Sequence, residues 1–441
     1  MVCTSTPAAA DLLAVAHAAV SEGWSVTLVA DPQVQVPASL HAAVVVEGSS
    51  APSPPSRGER QQLAPKRAHG FISRGGDQFR EAGTTFVRGW TARARARALV
   101  AKHRPDVILV STDRVVGEEL AFLSVARRKG ILCAVIPFDI TDPDSLAHFR
   151  RDLEGFALGS LTLRFFERFL PSQVRTSGYG TFSFFRPLRT LVLAALGQLP
   201  PNPWTMGSAA DVLFVSGERD RERSIEWGTS GEKIEVSGRP SLDTLCASLE
   251  DNDGTGSVRS SAPKSSPPVL VCAVPHLGEH GLMPWEEHLE HTVWLMDALA
   301  ELDAAVVLSL HPKSDPAVYQ PLAESRGLTI SAAPLVEALP QADIYVATVS
   351  STIRWAVLLG IPTVVVNHFG LDEAMFSDID GLVMTRSKED LLRALSLVVA
   401  SGEERDRIAN RLRLSATKLD RFDGSSSQRI VEGIASRLEA L

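Results

Sequence analysis

The sequence lacks the features that define several large classes of protein. No apolar run reaches the roughly 18 residues that a helix needs to cross a bilayer, and the N-terminal residues lack the charged and apolar regions of a signal peptide. The four cysteines are scattered without the spacing of a metal site, which predicts buried free thiols in a reducing compartment. We therefore expect a cytoplasmic protein, with peripheral contact at the inner face of the plasma membrane as the alternative.

Several catalytic motifs are also missing. No Gly-x-Gly-x-x-Gly follows the first predicted strand, which disfavours a dinucleotide dehydrogenase, and no phosphate-loop motif indicates an ATPase. No Gly-x-Ser-x-Gly elbow supports a serine hydrolase. The histidines His276, His280, His288 and His291 do not form the His-Glu-x-x-His pair of a metalloprotease. We expect no metal and no cofactor.

The composition is that of an ordinary globular protein with an uneven distribution of charge. The chain has 441 residues, enough for two domains of about 200 residues each. Its net charge of −8 argues against general nucleic-acid binding, yet twelve Lys and Arg face only three acidic residues between Arg57 and Arg104. This basic stretch predicts a helix with a solvated basic face, or else one that contacts an anionic acceptor or membrane surface.

Short apolar runs alternate with helical patterns along most of the chain, which predicts an α/β protein with parallel sheets. We expect an N-terminal Rossmann-like domain over residues 1–205 and a C-terminal one over 206–426, facing each other across a cleft. The pattern of residues 427–441 predicts a final helix. Packing of this helix on the N-terminal domain is one arrangement that we consider. Stretches rich in Ser and Pro predict loops at about 49–68 and 251–268.

Residues 156–199 interrupt the α/β pattern. Six phenylalanines between Phe165 and Phe185 are interleaved with five arginines between Arg164 and Arg189. This mixture suits a membrane interface or a lipid-linked acceptor. A helical insertion that packs on its own domain explains it equally well.

Two strand ends carry groups that bind phosphate. The strand that ends at His311 is followed by Pro312, which favours an extended conformation, and by the positive charge of Lys313. A second strand runs into Ser350, Ser351 and Thr352 just before a helical pattern. A helix start offers free N–H groups to an anion, although the hydroxyls could equally serve only to cap the helix. The pair predicts a phosphate site.

Other candidate residues also follow predicted strands. Asp113 and Asp139 are candidate general bases, and His276 is a candidate to act on the substrate. Glu373 is placed to accept from the hydroxyls of a ribose. A metal site at the histidines or an ordinary loop role for each residue stays open.

The strand that ends at Val236 is followed by a glycine and an arginine. Gly238 permits close approach of the backbone to a nucleotide, and Arg239 follows it directly. Turns use glycine for the same reason, so a turn remains the alternative.

The chain resembles the two-domain GT-B superfamily over nearly its whole length. Three patterns resemble those of UDP-N-acetylglucosamine 2-epimerases: Lys233-Ile234-Glu235-Val236-Ser237-Gly238-Arg239-Pro240-Ser241-Leu242-Asp243, His276-Leu277-Gly278-Glu279-His280-Gly281, and Ser350-Ser351-Thr352 with Gly360-Ile361-Pro362-Thr363-Val364-Val365. By position, Asp113 resembles the catalytic carboxylate and His276 the catalytic histidine of those epimerases. Where they carry acidic residues after the Ser-rich turn, this chain has Arg354 and Trp355.

The pairing of His311-Pro312 with Ser350-Ser351 also resembles bacterial sialyltransferases, capsular Kdo transferases and glycerophosphotransferases. The resemblance implies a glycosyltransferase for capsule or other polysaccharide synthesis, with the donor phosphate on these motifs. The partners it implies are a nucleotide-sugar donor and a surface-glycan or lipid-linked acceptor. A 2-epimerase and a non-catalytic sugar-nucleotide binding protein are the alternatives.

Overall fold

The computed structural model describes most of the chain. The described residues are 1–3, 6–32, 34–41, 43–48, 71–137, 140, 142–151, 153, 155–253, 267–279, 283–311, 314–348, 350–369 and 376–441. The predicted loop at 49–68 and most of the one at 251–268 lie outside them. The chain divides into two compact units, Met1–Asp243 with Arg421–Leu441, and Thr244–Asp420.

The first unit is built on a parallel sheet. Its strands and helices, within the described residues, are β1 Val2–Cys3, α1 Thr6–Ser21, β2 Val26–Ala30, α2 Ala38–His41, β3 Val44–Gly48, α3 Phe71–His103, β4 Val107–Val110, α4 Glu118–Lys129, β5 Leu132–Val135, α5 Pro143–Arg151, α6 Ser160–Phe169, β6 Val174–Ser177, β7 Gly180–Ser183, α7 Pro187–Leu196, β8 Val212–Val215, α8 Glu218–Glu226 and β9 Ile234–Val236. The sheet order is β3-β2-β1-β4-β5-β8-β9, and every described pairing in it is parallel. Strands β4, β5 and β8 read as continuous apolar runs because both faces of such a sheet are covered.

The second unit carries another parallel sheet. Its elements, within the described residues, begin with α9 Asp243–Asp253 at the junction and continue with β10 Val269–Ala273, α10 Trp285–Ala300, β11 Ala305–Ser309, α11 Pro316–Glu324, β12 Thr329–Ile330, α12 Leu335–Ala338, β13 Ile344–Thr348, α13 Ile353–Leu358, β14 Thr363–Val366, β15 Val383–Thr385, α14 Lys388–Ala400 and α15 Gly402–Leu419. The order is β12-β11-β10-β13-β14-β15, again parallel in each described pairing. The predicted α/β class with parallel sheets is confirmed.

The division between the units lies later in the chain than the predicted boundary at residue 205. Strand β8 pairs with β5, with Ala134 opposite Val212, and β9 extends the same sheet beyond β8. Strands β8 and β9, which were predicted in the C-terminal domain, therefore belong to the first unit. A strand pattern reveals a strand but not its neighbour, because parallel partners are far apart in the sequence.

A final helix, α16 (Ser426–Glu439), completes the first unit. It buries Ile430, Val431 and Ile434 in the cluster that also contains Leu12 of α1. Each such side chain contributes about 1.5–3 kcal/mol when it leaves water. The Asp243 carboxylate accepts hydrogen bonds from the first N–H groups of the helix, Ser426 at 3.0 Å and Ser427 at 2.7 Å. This is a helix cap supplied by a residue distant in the sequence.

The insertion at 156–199 is a mixture of helix and hairpin rather than all helix. The antiparallel pair β6 and β7 lies between helices α6 and α7. Four of its seven phenylalanines are buried, and three of these, Phe182, Phe184 and Phe185, pack with Trp204 in one cluster. Packing on its own unit therefore explains most of the phenylalanines. Among the described residues, no helix is both long and apolar enough to span a membrane.

Gly238 generates a prediction about stability. Its backbone φ is +86°, and a Cβ atom there would lie 2.6 Å from the Arg421 carbonyl oxygen and also against the Ser426 hydroxyl. We expect Gly238→Ala to cost about 1–2 kcal/mol for the left-handed backbone and about 1–3 kcal/mol more for overpacking. Urea denaturation measures the change in the free energy of unfolding.

Gly23 provides the matched control because its φ is +81° and nothing lies within 4 Å of the place that a methyl group would take. Gly23→Ala should show the backbone cost alone. Equal losses in the two variants would contradict the proposed packing of the C-terminal segment on Gly238.

Candidate functional site

The strand order of the second unit reverses direction between β10 and β13. From β10 the chain moves outward to β11 and β12, then returns to β13 on the other side of β10. The loops after β10 and β13 therefore leave the sheet in opposite directions and open a crevice at the carboxyl ends of the strands. His276 follows β10 and Ser350 follows β13, so both lie at the point where α/β folds bind ligands.

Two predicted histidines meet at this edge. The rings of His276 and His311 are stacked, with centroids 4.2 Å apart and planes 17° apart. The sheet register explains their proximity, because Ala273 of β10 pairs with Ser309 of β11 and each histidine follows shortly after its strand. Both side chains are half-buried. Two imidazoles held together at a strand edge can present N–H donors to one anion.

The Ser-rich turn lies at the same level of the sheet. Cys272 of β10 pairs with Val346 of β13, which carries the chain to Ser350 at the height of the His276 loop. The Ser350 hydroxyl lies 3.0 Å from the Thr352 hydroxyl, which in turn lies 2.7 Å from the Tyr345 hydroxyl. The three hydroxyls form a chain that fixes the turn.

The helix after this turn is short. Helix α13 has only six residues, and the hydroxyl of its N-cap residue Thr352 does not cap it. The Thr352 side chain therefore does not cap the helix. Arg354 is buried and donates to the Leu419 carbonyl oxygen at 2.9 Å, so it anchors helix α15. The available ligand groups of the turn are hydroxyls rather than a strong helix dipole.

A buried carboxylate ties the two histidine loops together. Glu279, three residues after His276, accepts a hydrogen bond from the Tyr319 hydroxyl at 2.6 Å and from the Ser314 hydroxyl at 2.7 Å. Ser314 lies three residues after His311 and donates its backbone N–H to the His311 carbonyl oxygen at 2.8 Å. The carboxylate therefore links the loop after β10 to the loop after β11. Sequence reasoning included Glu279 in a motif but gave it no role.

His288 completes this network from helix α10. Its Nε2 lies 2.8 Å from the Tyr319 hydroxyl and 3.3 Å from the second Glu279 oxygen. Because Tyr319 donates its proton to Glu279, the His288 ring donates to Tyr319. Burial lowers the pKa of His288, and Glu279 opposes that effect only in part. Burial alone would raise the pKa of Glu279, but the bonds from Tyr319 and Ser314 hold it below its ordinary value.

The metal alternative for the histidines is not supported by any cluster in the described residues. No group of three or more His, Cys, Asp or Glu side chains there is arranged to hold an ion. His280 lies outside the described residues.

An aromatic cluster follows β14, and the sequence patterns did not indicate it. The His368 ring lies 5.5 Å from the Trp294 ring and 4.3 Å from the Phe369 ring. The Lys388 ammonium lies 4.5 Å from the centroid of Trp294. Burial, assisted by the charges of His291 and Lys388, lowers the pKa of His368 to about 4. An aromatic cluster of this kind suits the apolar face of a sugar or base.

In the first unit, Asp113 lies after β4 but is fully buried. Its Oδ2 accepts from the Ala209 N–H at 2.9 Å and from the Ser208 hydroxyl at 3.3 Å. Its Oδ1 is buried without a hydrogen-bond partner among the described residues. Burial raises the pKa of Asp113, and the Ala209 bond opposes that effect. The neighbouring loop is held by Glu119, which accepts from the N–H of Thr112 at 2.8 Å.

Gly238 and Arg239 belong to the first unit rather than to the predicted C-terminal domain. The space beside Gly238 is filled by the C-terminal segment. Arg239 is buried, with Nη2 3.6 Å from the Asp11 carboxylate, whose other oxygen accepts from the Ser241 N–H at 2.9 Å. These contacts give both residues a packing role, and their nucleotide contact stays a prediction.

Three further predicted residues, Asp139, Lys313 and Glu373, lie outside the described residues. The structure therefore brings together His276, His311 and the Ser-rich turn at one sheet edge. It places Asp113, Gly238 and Arg239 in the other unit.

No protein-family model and no curated protein matches the chain. Solved structures do resemble its fold. The calicheamicin glycosyltransferase CalG4 is 15% identical with a TM-score of 0.56, and the match covers 99% of this chain and 98% of CalG4. The glycosyltransferase of kitacinnamycin is 16% identical with a TM-score of 0.55, over 99% and 98% of the two chains.

An epimerase structure is comparably similar. The UDP-GlcNAc 2-epimerase from Neisseria meningitidis, solved with UDP-GlcNAc bound, is 13% identical with a TM-score of 0.51, over 99% of this chain and 98% of that one. At these identities the likeness establishes the fold. The chain therefore has the GT-B-like α/β fold of two Rossmann-like domains that its sequence resembles.

Proposed function

We propose that the protein is a metal-independent glycosyltransferase that moves a sugar from a nucleotide-activated donor to a surface-glycan or lipid-linked acceptor. The observation that carries the proposal is the stacked pair of His276 and His311 beside the reversal of strand order, with Ser350 following the neighbouring strand β13. Imidazole and hydroxyl groups can each donate a hydrogen bond to an anion. The donor phosphate is the anion we assign to them.

The chemistry follows from this assignment. The acceptor hydroxyl oxygen attacks the anomeric carbon, the bond from that carbon to the phosphate oxygen breaks, and the nucleotide leaves with its electron pair. Negative charge grows on the phosphate in the transition state. Donors fixed before the reaction stabilise that charge without further reorganisation. Glu279 keeps the donors fixed, because it ties the loops that carry His276 and His311.

A base must take the proton of the acceptor hydroxyl, and it must touch that hydroxyl. Asp113 and Asp139 are the predicted candidates. Asp113 is fully buried, with one oxygen engaged by Ser208 and Ala209. We therefore assign Asp113 to positioning of the loop after β4 and propose Asp139 as the base.

A 2-epimerase is the second candidate function. The fold likeness to the Neisseria meningitidis epimerase and the placement of His276 favour it. Arg354 anchors helix α15 from the position where those enzymes have an acidic residue, which favours the transferase. An epimerase needs no acceptor, so incubation with UDP-N-acetylglucosamine alone distinguishes the two. Nucleotide-sugar binding without either reaction would indicate a binding protein.

Replacement of His311 tests the phosphate site directly. We expect one of CMP, CDP, UDP and GDP to raise the melting temperature of the protein, because a ligand that binds the folded state stabilises it. His311→Ala should abolish most of that shift and lower turnover by about 10²–10³-fold, the usual loss for one donor to a developing oxyanion.

His17→Ala is the control, since His17 is an exposed histidine on helix α1 of the first unit. An undiminished nucleotide shift in His311→Ala would exclude His311 from the phosphate site.

The three tyrosines of the chain form a matched set for the positioning network. Tyr319→Phe removes the hydroxyl that donates to Glu279, and Tyr345→Phe removes the one that contacts Thr352. We expect each to lower kcat by about tenfold to a hundredfold, because small displacements of catalytic groups are costly. Tyr179→Phe alters an exposed residue of the insertion and should leave kcat unchanged.

Urea denaturation of the same variants separates positioning from folding. If kcat falls only in proportion to the fraction of protein unfolded, the tyrosines are merely structural.

Burial of Asp113 predicts a pH-dependent stability. Its folded pKa lies above its ordinary value of 3.8, so its contribution is most favourable below that pH and declines as the pH rises through the folded pKa. Asp113→Asn cannot ionise and should escape this decline. Relative to the variant, the wild type should therefore lose stability as the pH rises above about 4, as measured by urea denaturation at several pH values.

A constant difference between the two proteins over this range would contradict a raised pKa for the buried carboxylate. Retention of activity by Asp113→Asn is the result expected from a positioning role.

A further inference from the structure

The first unit contains an open cavity lined mainly by arginine and threonine. Its volume is about 490 Å³, and its lining is Arg80, Glu81, Thr84, Thr85, Arg88, Val116 and Arg189. Most of these residues come from helix α3, with Arg189 from α7 and Val116 from the loop after β4. Arg80, Thr84 and Arg88 are spaced by four and therefore lie on one side of α3.

The cavity has an excess of positive charge. Three arginines and one glutamate give it a formal charge of +2. The single carboxylate is already neutralised, since Glu81 accepts from Arg186 at 2.8 Å and from Arg189 at 3.1 Å. Within the described part of the chain, Arg80 and Arg88 are exposed and form no ion pair. Guanidinium groups beside hydroxyls suit a phosphate monoester, which carries close to two negative charges.

The position of the cavity relates it to the acceptor. Val116 is three residues after Asp113, in the loop at the carboxyl end of β4. That edge lies next to the reversal of strand order of the first sheet, between β1 and β4, where such sheets bind ligands. An anion in the cavity is therefore placed at the ligand-binding edge of the first unit.

An exposed apolar stripe runs along the same helix. Phe79, Phe86, Val87 and Trp90 are 70%, 50%, 59% and 59% exposed. At about 100° per residue, their positions lie on adjoining sides of α3, next to the column of Arg80 and Arg88. Four large apolar side chains left in water beside a cationic cavity match a molecule that has both a phosphate and a hydrocarbon chain.

We propose that the cavity and the stripe on α3 together bind the phosphate and the first part of the hydrocarbon chain of a lipid phosphate. The inference rests on the proposed function, for which it defines the acceptor as lipid-linked. The basic stretch had two interpretations, a solvated face or contact with an anionic acceptor or membrane surface. The proposal favours the second, because the arginines contact an anion rather than only water.

Vesicle sedimentation tests the proposal on the full-length protein. The wild type should sediment with vesicles of phosphatidylcholine that contain phosphatidic acid and not with phosphatidylcholine alone. The double variant Arg80→Gln/Arg88→Gln should bind about tenfold or more weakly, because it loses two charged contacts to the phosphate. Arg97→Gln is the control, since Arg97 is exposed on α3 but does not line the cavity.

A second pair of variants tests the hydrocarbon part. Phe86→Ser/Trp90→Ser should weaken vesicle binding while leaving the affinity for glycerol 3-phosphate, a soluble phosphate monoester, unchanged. If it leaves vesicle binding unchanged, the ligand is a soluble phosphate and the lipid assignment is wrong. If Arg97→Gln weakens vesicle binding as much per charge removed as the double arginine variant does, diffuse charge and not the cavity attracts the vesicle.

The proposed transferase function and the lipid-phosphate site can be tested separately. The double arginine variant should retain the nucleotide-induced rise in melting temperature, because its arginines lie in the first unit. A wild type that binds no nucleotide but does bind phosphatidic acid would overturn the transferase and leave the lipid site standing. The reverse result would overturn only the lipid site.

Discussion

The reversal of strand order within a parallel sheet is the constraint on which the candidate site depends. Parallel strands end at the same edge, and the connections on the two sides of β10 leave in opposite directions. The crevice between them needs no special residue to exist. What the sequence adds is polar residues after these strands, and His276 and Ser350 lie at the edge where the topology creates such a space.

Loops at a strand end are outside the hydrogen-bond ladder, and something else must hold them. In the second unit that role belongs to the Glu279 carboxylate, with Tyr319 and Ser314 as donors. Removal of a carboxylate from water is costly unless its lone pairs are satisfied. Here the donors lower the pKa of Glu279 despite burial, so the group remains charged and its bonds are stronger than those between neutral groups. These bonds connect the loop that carries His276 to the loop that carries His311.

The sequence predicted strands better than it predicted their partners. The strand predicted before Ser350 is β13 (Ile344–Thr348), because a continuous apolar run between polar turns has few other interpretations. Strands β8 and β9 were also recognisable, but their place beside β5 was not, since that pairing spans about 80 residues including the insertion. The same limitation explains Gly238, whose positive φ serves contact with a segment nearly 200 residues away.

The candidate site shows the same difference between local and long-range information. His311 and Ser350 could be predicted because each motif is local, and the alternation of strands and helices assigns both to one edge. The stacking of His276 on His311 and the Tyr345–Thr352 contact depend on rotamers and register, which no spacing in the sequence reveals. Burial of Asp113 by the turn at 207–209 could not be predicted for the same reason.

The net charge of the chain bears on how each unit can bind an anion. A net charge of −8 repels anions at long range, so any anionic ligand must be bound by local groups. Screening limits such groups to about one Debye length, roughly 8–10 Å at physiological salt. We therefore propose the arginines of the first unit, and the histidines and hydroxyls of the second, as short-range anion sites on a repulsive background. Such a background discriminates against anions that fit neither site, because they gain no contact to offset the repulsion.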